Sequence, residues 1–333
     1  LPILEPKPNP NSIGMNPQFP NHPLLGIDVS KLTFDACLLL GDGGKASIEL
    51  PNDPDGFTRL ETWLSQHGVA RTLAGLEATG PYGVPLLWHL HSRGHLTAQL
   101  NPRRVKDYAR SQGRRVKTDR TDAHIIAQFL RHTEHLVLWQ PPHEALIHLQ
   151  ALVRRRQDLM DALQAERNRL AGCTNQAVRA SLDRHIQHIK AEARQIDKDI
   201  DAHVMDQSEI QKSVRLLRSI DGVGRMVAVT ILAEVPQISA FTRARDLAAF
   251  AGLTPSLTES GTSVRKRGRM TKEGSALLRK MLYMGALQAV KRTENAFHGT
   301  YKALTNRGKA KKVAIGAIMH KIIRVAFGVL KHQ

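Results

Sequence analysis

The segment Leu24-Leu25-Gly26-Ile27-Asp28-Val29, with Thr33-Phe34-Asp35-Ala36-Cys37-Leu38-Leu39-Leu40 behind it, decides the fold. The first stretch is an apolar run closed by an acid, the pattern of a buried central strand. The link Ser30-Lys31-Leu32 is short enough to make a hairpin with the second strand. Asp35 alternates with the apolar positions of that second strand and is expected to face solvent. Residues 46–50 read as a third strand after the Gly41-Asp42-Gly43-Gly44 turn. Downstream the spacing predicts a helix over 54–66, with Phe57, Leu60 and Leu64 on one face, and a strand over 72–77 that ends in Glu77. A helix over 83–92, a strand over 96–100 and an amphipathic helix over 119–131 follow.

The resulting order, β-β-β-α-β-α-β-α, is that of a ribonuclease H-like domain of the α/β class, a mixed sheet with a hairpin, flanked by helices. From 143 to 205 the pattern becomes long helix. Leu149, Leu152, Leu159, Leu163 and Leu170 keep 3/4 spacing, as do Leu182, Ile186, Ile189, Ala193, Ile196 and Ile200, on either side of a soft break at Gly172-Cys173. An antiparallel pair, a dimerising coiled coil and two helices within one bundle all satisfy that seam. Ile220-Asp221-Gly222-Val223-Gly224 then leads into an apolar helix over 225–234. This resembles a helix-hairpin-helix, in which Gly222 and Gly224 would expose backbone amides to a phosphate; a plain tight helix turn is the alternative. The expected organisation is a disordered leader (1–23, rich in Pro and Asn), an α/β domain (24–142), a helical coiled-coil linker (143–208) and a mainly helical C-terminal domain (209–333).

Charge bounds the partners. The chain carries 48 Lys and Arg against 30 Asp and Glu, a net of +18. Residues 1–140 hold 15 basic and 13 acidic residues, a net of +2, and residues 141–333 hold 33 and 17, a net of +16. Such a surplus favours a polyanion and argues against an acidic small-molecule enzyme. Two cysteines, Cys37 and Cys173, make neither a disulfide framework nor a cysteine zinc site and fit a reducing cytoplasm. No apolar run of about 18 residues is evident, so no membrane span is expected. Arg103, Arg104, Lys106, Arg110, Arg114, Arg115, Lys117 and Arg120, set against only Asp107 and Asp119, form a candidate nucleic-acid track. Residues 295–333 contain no acid, and their apolar pattern from Val313 to Leu330 demands a packed helix.

Four acids stand out by position. Asp28 and Glu77 end apolar strands, and Asp119 and Asp122 lie three apart at the start of a helix and so project from one face. Four crowded carboxylates repel one another unless a divalent cation neutralises them, and oxygen ligands suit Mg²⁺ or Mn²⁺. Simple helix-dipole and turn-capping roles are the alternatives for individual members. A second cluster follows Ser260-Gly261: Arg265, Lys266, Arg267, Arg269, Lys272, Arg279 and Lys280, with Glu273 the one acid. Cations of this kind can hold a phosphate and offset charge in a phosphoryl transition state, and a nearby serine could serve as nucleophile. The residues alone leave Ser260 and Ser263 both open, and an ordinary Ser-Gly turn as well.

Together, Gly26-Ile27-Asp28-Val29-Ser30-Lys31, Glu77-Ala78-Thr79-Gly80-Pro81-Tyr82, Lys117-Thr118-Asp119-Arg120-Thr121-Asp122-Ala123, Ile220-Asp221-Gly222-Val223-Gly224 and Gly252-Leu253-Thr254-Pro255 with Ser260-Gly261, Lys272-Glu273-Gly274 and Leu278-Arg279 resemble the DEDD insertion-sequence transposases. These are the bridge-RNA-guided recombinases, related to the Piv-like DNA invertases. The resemblance runs over roughly residues 24–330 in the family's order. It implies a RuvC-like N-terminal domain, a coiled-coil linker and a C-terminal transposase domain. It also implies a Mg²⁺-binding tetrad at Asp28, Glu77, Asp119 and Asp122, with Ser260 as the nucleophile. The implied reaction forms a covalent 5′-phosphoserine link and passes through a Holliday-junction-like intermediate, with acids from one subunit and the serine from another. The implied partners are donor and target DNA, a noncoding bridge RNA that pairs with both, and further copies of the chain, a dimer or, when active, a tetramer acting at the nucleoid of a prokaryotic cytoplasm. RNA guidance would leave sequence selection to base pairing, which fits a basic chain with 5% aromatic residues. A metal-dependent, water-using junction nuclease is the rival reading.

Overall fold

The computed structural model describes residues 16–20, 22–41, 43–78, 80, 82–112, 119–134, 136–236, 238, 241–260, 264–272 and 274–332; at 119–121 and 256–269 the description is of the backbone alone. The chain divides into two compact units, Leu1–Pro141 and Pro142–Gln333.

The first unit is built on a mixed sheet of β1 (Leu24–Val29), β2 (Thr33–Leu39), β3 (Lys45–Pro51), β4 (Leu73–Glu77) and β5 (Leu96–Leu100), in the order β3-β2-β1-β4-β5. β1, β2 and β3 pair antiparallel, whereas β1, β4 and β5 are parallel. The Ser30 hydroxyl closes the β1–β2 turn by donating to Thr33 O (2.8 Å) and accepting from Thr33 N (3.1 Å). Alternation splits the side chains between two cores. Leu25, Ile27, Ala74 and Leu76 pack with Phe57, Leu60 and Leu64 of α1 (Pro54–Gln66) and Leu86, Leu87 and Leu90 of α2 (Val84–Ser92). Leu24, Cys37, Leu39, Leu73, Ala98 and Leu100 pack on the opposite face with α3 (Pro102–Ser111) and α4 (Asp119–His132). Helix α3 lies where the sequence suggested only a basic track. Its signal is Asn101-Pro102: Asn101 caps it by accepting from Arg103 N at 2.9 Å, and proline suits the first turn. The expected leader also ends sooner than residue 23. Asn16 is fully buried and donates to Leu130 O and to Thr133 O (2.9 Å), and Phe19 packs beside the α4 core.

In the second unit, α5 (Glu144–Gly172) and α6 (Gln176–Asp206) form an antiparallel pair within one chain. His203 on Ala145 O (2.8 Å), Arg156 on Asp197 (2.8 Å) and His185 on Glu166 (3.3 Å) mark successive rungs. Leu159, Leu163, Ile186, Ile189 and Ala193 make a core of their own at the distal end. Leu149, Val153, Ile200 and Val204 at the base instead join the main core of the unit. That core is completed by α7 (Ser208–Arg218), α8 (Arg225–Glu234), α9 (Ala244–Phe250), α10 (Ala276–Lys291), α11 (Ala296–Asn306) and α12 (Lys311–Lys331). A β-hairpin, β6 (Pro255–Ser260) and β7 (Val264–Met270), interrupts the helices. Contrary to expectation, α12 is long and apolar enough to cross a membrane, with mean hydropathy 1.8 over 18 residues. Nine of its residues, from Ala314 to Leu330, are buried in the unit's core, so that apolar stripe is accounted for by packing.

Candidate active site and nucleic-acid surfaces

Two glycines seat the acidic end of the first unit. Gly26 and Gly75 are register partners on β1 and β4. A Cβ at Gly26 would overlap Ala123 O and Ala127 N, and one at Gly75 would come within 2.9 Å of the Leu130 methyls. Helix α4 therefore crosses in direct contact with the sheet. Asp28 and Glu77 lie two residues beyond these glycines, so alternation turns both toward the α4 face. The far end of α4 is held by Asn16, which precedes β1, so its first turn extends toward the Asp28 end. Asp122 immediately precedes Ala123 in that turn, and Asp28, Glu77 and Asp122 are all half-buried. Asp119 is the first residue of α4; its side chain lies outside the described residues.

A fifth acid joins this face. Asp35 is the register partner of Asp28 and is only 9% exposed, where the sequence suggested a solvated position. The cause is that α4 covers β2 as well: Cys37, on the same side as Asp35, has its Sγ 3.6 Å from His124 Nδ1. Burial pushes the Cys37 thiol up, outweighing the Ser47 hydrogen bond and the Lys45 charge, so it is a neutral packing group and a poor nucleophile. Carboxylate oxygens are the right donors for a hard divalent cation. Among the described residues, no three His, Cys, Asp or Glu side chains gather into a ligating cluster.

The candidate nucleophile region is the β6–β7 hairpin. Ser260, expected in a loop, is the last residue of β6 and pairs with Val264; Gly261 and Ser263 lie outside the described residues. On the neighbouring strand Arg265 lies opposite Glu259, Lys266 opposite Thr258 and Arg269 opposite Ser256, with a register shift between Ser256 and Thr258. Arg267 belongs to the same strand. The base of the hairpin is pinned. Thr271 N donates to Thr254 O (3.0 Å), Lys272 N to Gly252 O (3.1 Å), and Arg279 donates to Gly274 O (2.9 Å). Lys272 is exposed and takes φ 57°, and Gly274 (φ 96°) has no room for a Cβ against Phe250 O.

Packing accounts for one glycine of the α7–α8 turn. Gly222 has φ 82°, and a Cβ there would overlap Gly285 O and sit 2.7 Å from the Ala289 Cβ of α10. Gly224 has ordinary backbone angles, open surroundings and an exposed position at the N-terminus of α8. Along the expected track, Arg103, Arg104, Lys106 and Arg110 are exposed on α3. Arg103 and Arg110 both reach Asp107 (4.0 and 3.4 Å), and Arg104 stacks over the Phe129 ring at 5.5 Å. Arg114, Arg115 and Lys117 lie outside the described residues.

Comparison with known proteins joins this architecture to a class. Residues 25–178 match a transposase model of the DEDD, IS110 type, and residues 214–302 match the transposase model of the IS116/IS110/IS902 family. The chain is 31% identical over 311 residues to the pilin gene-inverting protein of Moraxella bovis, covering 93% of this chain and 96% of that one. It is 25% identical over 342 residues to the transposase for insertion sequence element IS1111A of Coxiella burnetii, covering 93% and 90%, and 28% identical over 336 residues to a putative transposase of Sinorhizobium fredii, covering 91% and 82%. The chain belongs to the IS110-type family of DEDD transposases. Its class is therefore that of enzymes that cut and rejoin DNA in transposition and inversion.

Proposed function

We propose that the protein is an RNA-guided transposase whose Asp28, Glu77, Asp119 and Asp122 form the acidic half of the reaction centre and whose Ser260 is the nucleophile. The observation that supports this most is the in-register pair Gly26 and Gly75, which lets α4 lie directly on β1 and β4, the strands that carry Asp28 and Glu77 two residues further on. A Mg²⁺ or Mn²⁺ ion held by these carboxylates would supply Lewis acidity and counter-charge at the scissile phosphate. The protein's own steps are these. Cations of β7, namely Arg265, Lys266, Arg267 and Arg269, together with Lys272, hold the phosphate. The Ser260 hydroxyl attacks phosphorus and gives its proton to water. The bond to the 3′-oxygen breaks and that oxygen takes a proton back from water, leaving a 5′-phosphoserine and a free 3′-hydroxyl. Attack of that hydroxyl on a second phosphoserine then restores both the serine and a phosphodiester. Acids and serine would come from different copies in a dimer or tetramer, with a bridge RNA selecting donor and target DNA.

The test is incubation with the element's RNA, donor DNA, target DNA and Mg²⁺, followed by a denaturing gel. Wild type is expected to give a protein–DNA adduct. Ser260→Ala should lose the adduct and cleavage while retaining RNA and DNA binding, and mixing it with an Asp122→Asn subunit should restore part of the activity. An adduct from Ser260→Ala would move the role to Ser263. Cleavage by wild type without any adduct would establish the water-using nuclease instead.

A further inference from the structure

The acidic end of the sheet has an apolar rim. Asn52, just after β3, makes three hydrogen bonds across it: its backbone N donates to Leu32 O (2.9 Å), and its Nδ2 donates to Ser30 O (3.0 Å) and Tyr82 O (3.1 Å). One side chain thus staples the β1–β2 turn, which follows Asp28, to the loop after β4, which follows Glu77. The Ser30 hydroxyl locks the turn from within, and Gly83 lies against Val29, where an added Cβ would be 3.8 Å from Cγ2. Yet both stapled segments present apolar side chains to solvent. Leu32 is 76% exposed and Tyr82 44%, with exposed Lys31 beside Leu32. Most of the Leu32 side chain and nearly half of Tyr82 thus stay outside the core.

Resting on the proposed reading of the acids as a DNA-cutting centre, we infer that Leu32 and Tyr82 together receive one unstacked nucleobase beside the scissile phosphate, with Asn52 as the positioning residue that sets their spacing. The chemistry favours this occupant. A sequence-tolerant grip on a base face adds attraction beside the carboxylates that depends neither on charge nor on the identity of the base. Every base has a π-face, so Tyr82 can stack on any of them, Leu32 can flank it, and the Lys31 ammonium can meet the adjoining phosphate. Displacing a base at the cut also widens access to the phosphodiester without any reading of its edge, which suits a protein that delegates sequence selection.

The experiment uses the full chain with its guide RNA and Mg²⁺ on two DNA substrates, an intact duplex and one carrying a mismatch at the cleaved step. Tyr82→Ala and Leu32→Ala should cut the intact duplex roughly tenfold to a hundredfold more slowly, the range expected for losing one stacking contact. Both should regain most of the wild-type rate on the mismatched substrate, where the base is already loose. Tyr82→Phe should behave as wild type, and Asn52→Ala should show the same substrate-dependent loss. A 2-aminopurine at that step should change fluorescence on binding to wild type and to Asp28→Asn, but not to Tyr82→Ala. Unchanged cleavage of intact duplex by Tyr82→Ala, or equal loss on both substrates, would overturn the inference. If instead Asp28→Asn cuts normally, the acidic centre itself is misassigned, a separate failure.

Discussion

His95 has one workable tautomer in this fold. Its Nδ1 accepts from Thr72 N (3.2 Å), so the proton sits on Nε2 and points to Glu61 Oε2 at 3.1 Å. Burial pushes the Glu61 carboxyl up, but the hydrogen bond from His95 and the charges around it, among them Arg93, outweigh it and hold the group below its ordinary value. An acid depressed by folding stabilises the fold above its unfolded pKa of about 4.3 and loses that contribution as pH falls through the lower folded value. Thermal melts between pH 3 and 7 should therefore show an acid limb that Glu61→Gln flattens. Gly26 gives a second test at this scale. Gly26→Ala should destabilise by about 3 kcal/mol in urea titration, because backbone on α4 must move. It should also abolish cutting although no carboxylate is touched. Lys272→Gly should do the reverse, raising stability by about 1 kcal/mol through relief of a positive φ at an exposed site.

At the level of elements, the α7–α8 turn sets a packed glycine beside an open one. Gly222→Ala should cost about 3 kcal/mol or more, since both its φ and its contact with Gly285 O exclude a side chain, whereas Gly224→Ala should cost no more than about 1 kcal/mol. Chemical denaturation of both variants checks the contrast. Elements whose side chains obey one local period were legible in the sequence. β1, α1, β5 and the α5–α6 seam all begin and end within a residue or two of where their apolar spacing put them. What failed was information carried by neighbours. Asp35 looks solvated along its own strand and is buried only because α4 crosses β2. Helix α3 was hidden under its charges, although Asn101-Pro102 announced it. The β6–β7 hairpin was obscured by a basic strand that no apolar alternation marks. Within the candidate site, strand ends and the Asp119–Asp122 spacing named the acids, but the seat made by Gly26 and Gly75 required the register between strands.

Across the whole molecule, the +2 of the first unit and +16 of the second make nucleic-acid affinity a property of salt. Affinity should fall steeply with ionic strength, and Lys106→Glu should lower the log–log slope by about 1 if Lys106 meets a phosphate. Asp107 neutralises Arg103 and Arg110 together, so Asp107→Asn should strengthen binding and steepen the slope; a filter-binding salt series reads both. The α5–α6 pair has a different consequence. Its base belongs to the main core, while its distal half has a small apolar core of its own at Leu159, Leu163, Ile186, Ile189 and Ala193. Removing or adding seven residues in each helix at matched heights should therefore change the reach of the pair by about 10 Å and leave the main core of the unit intact, which thermal melts of such variants would show as an unchanged transition.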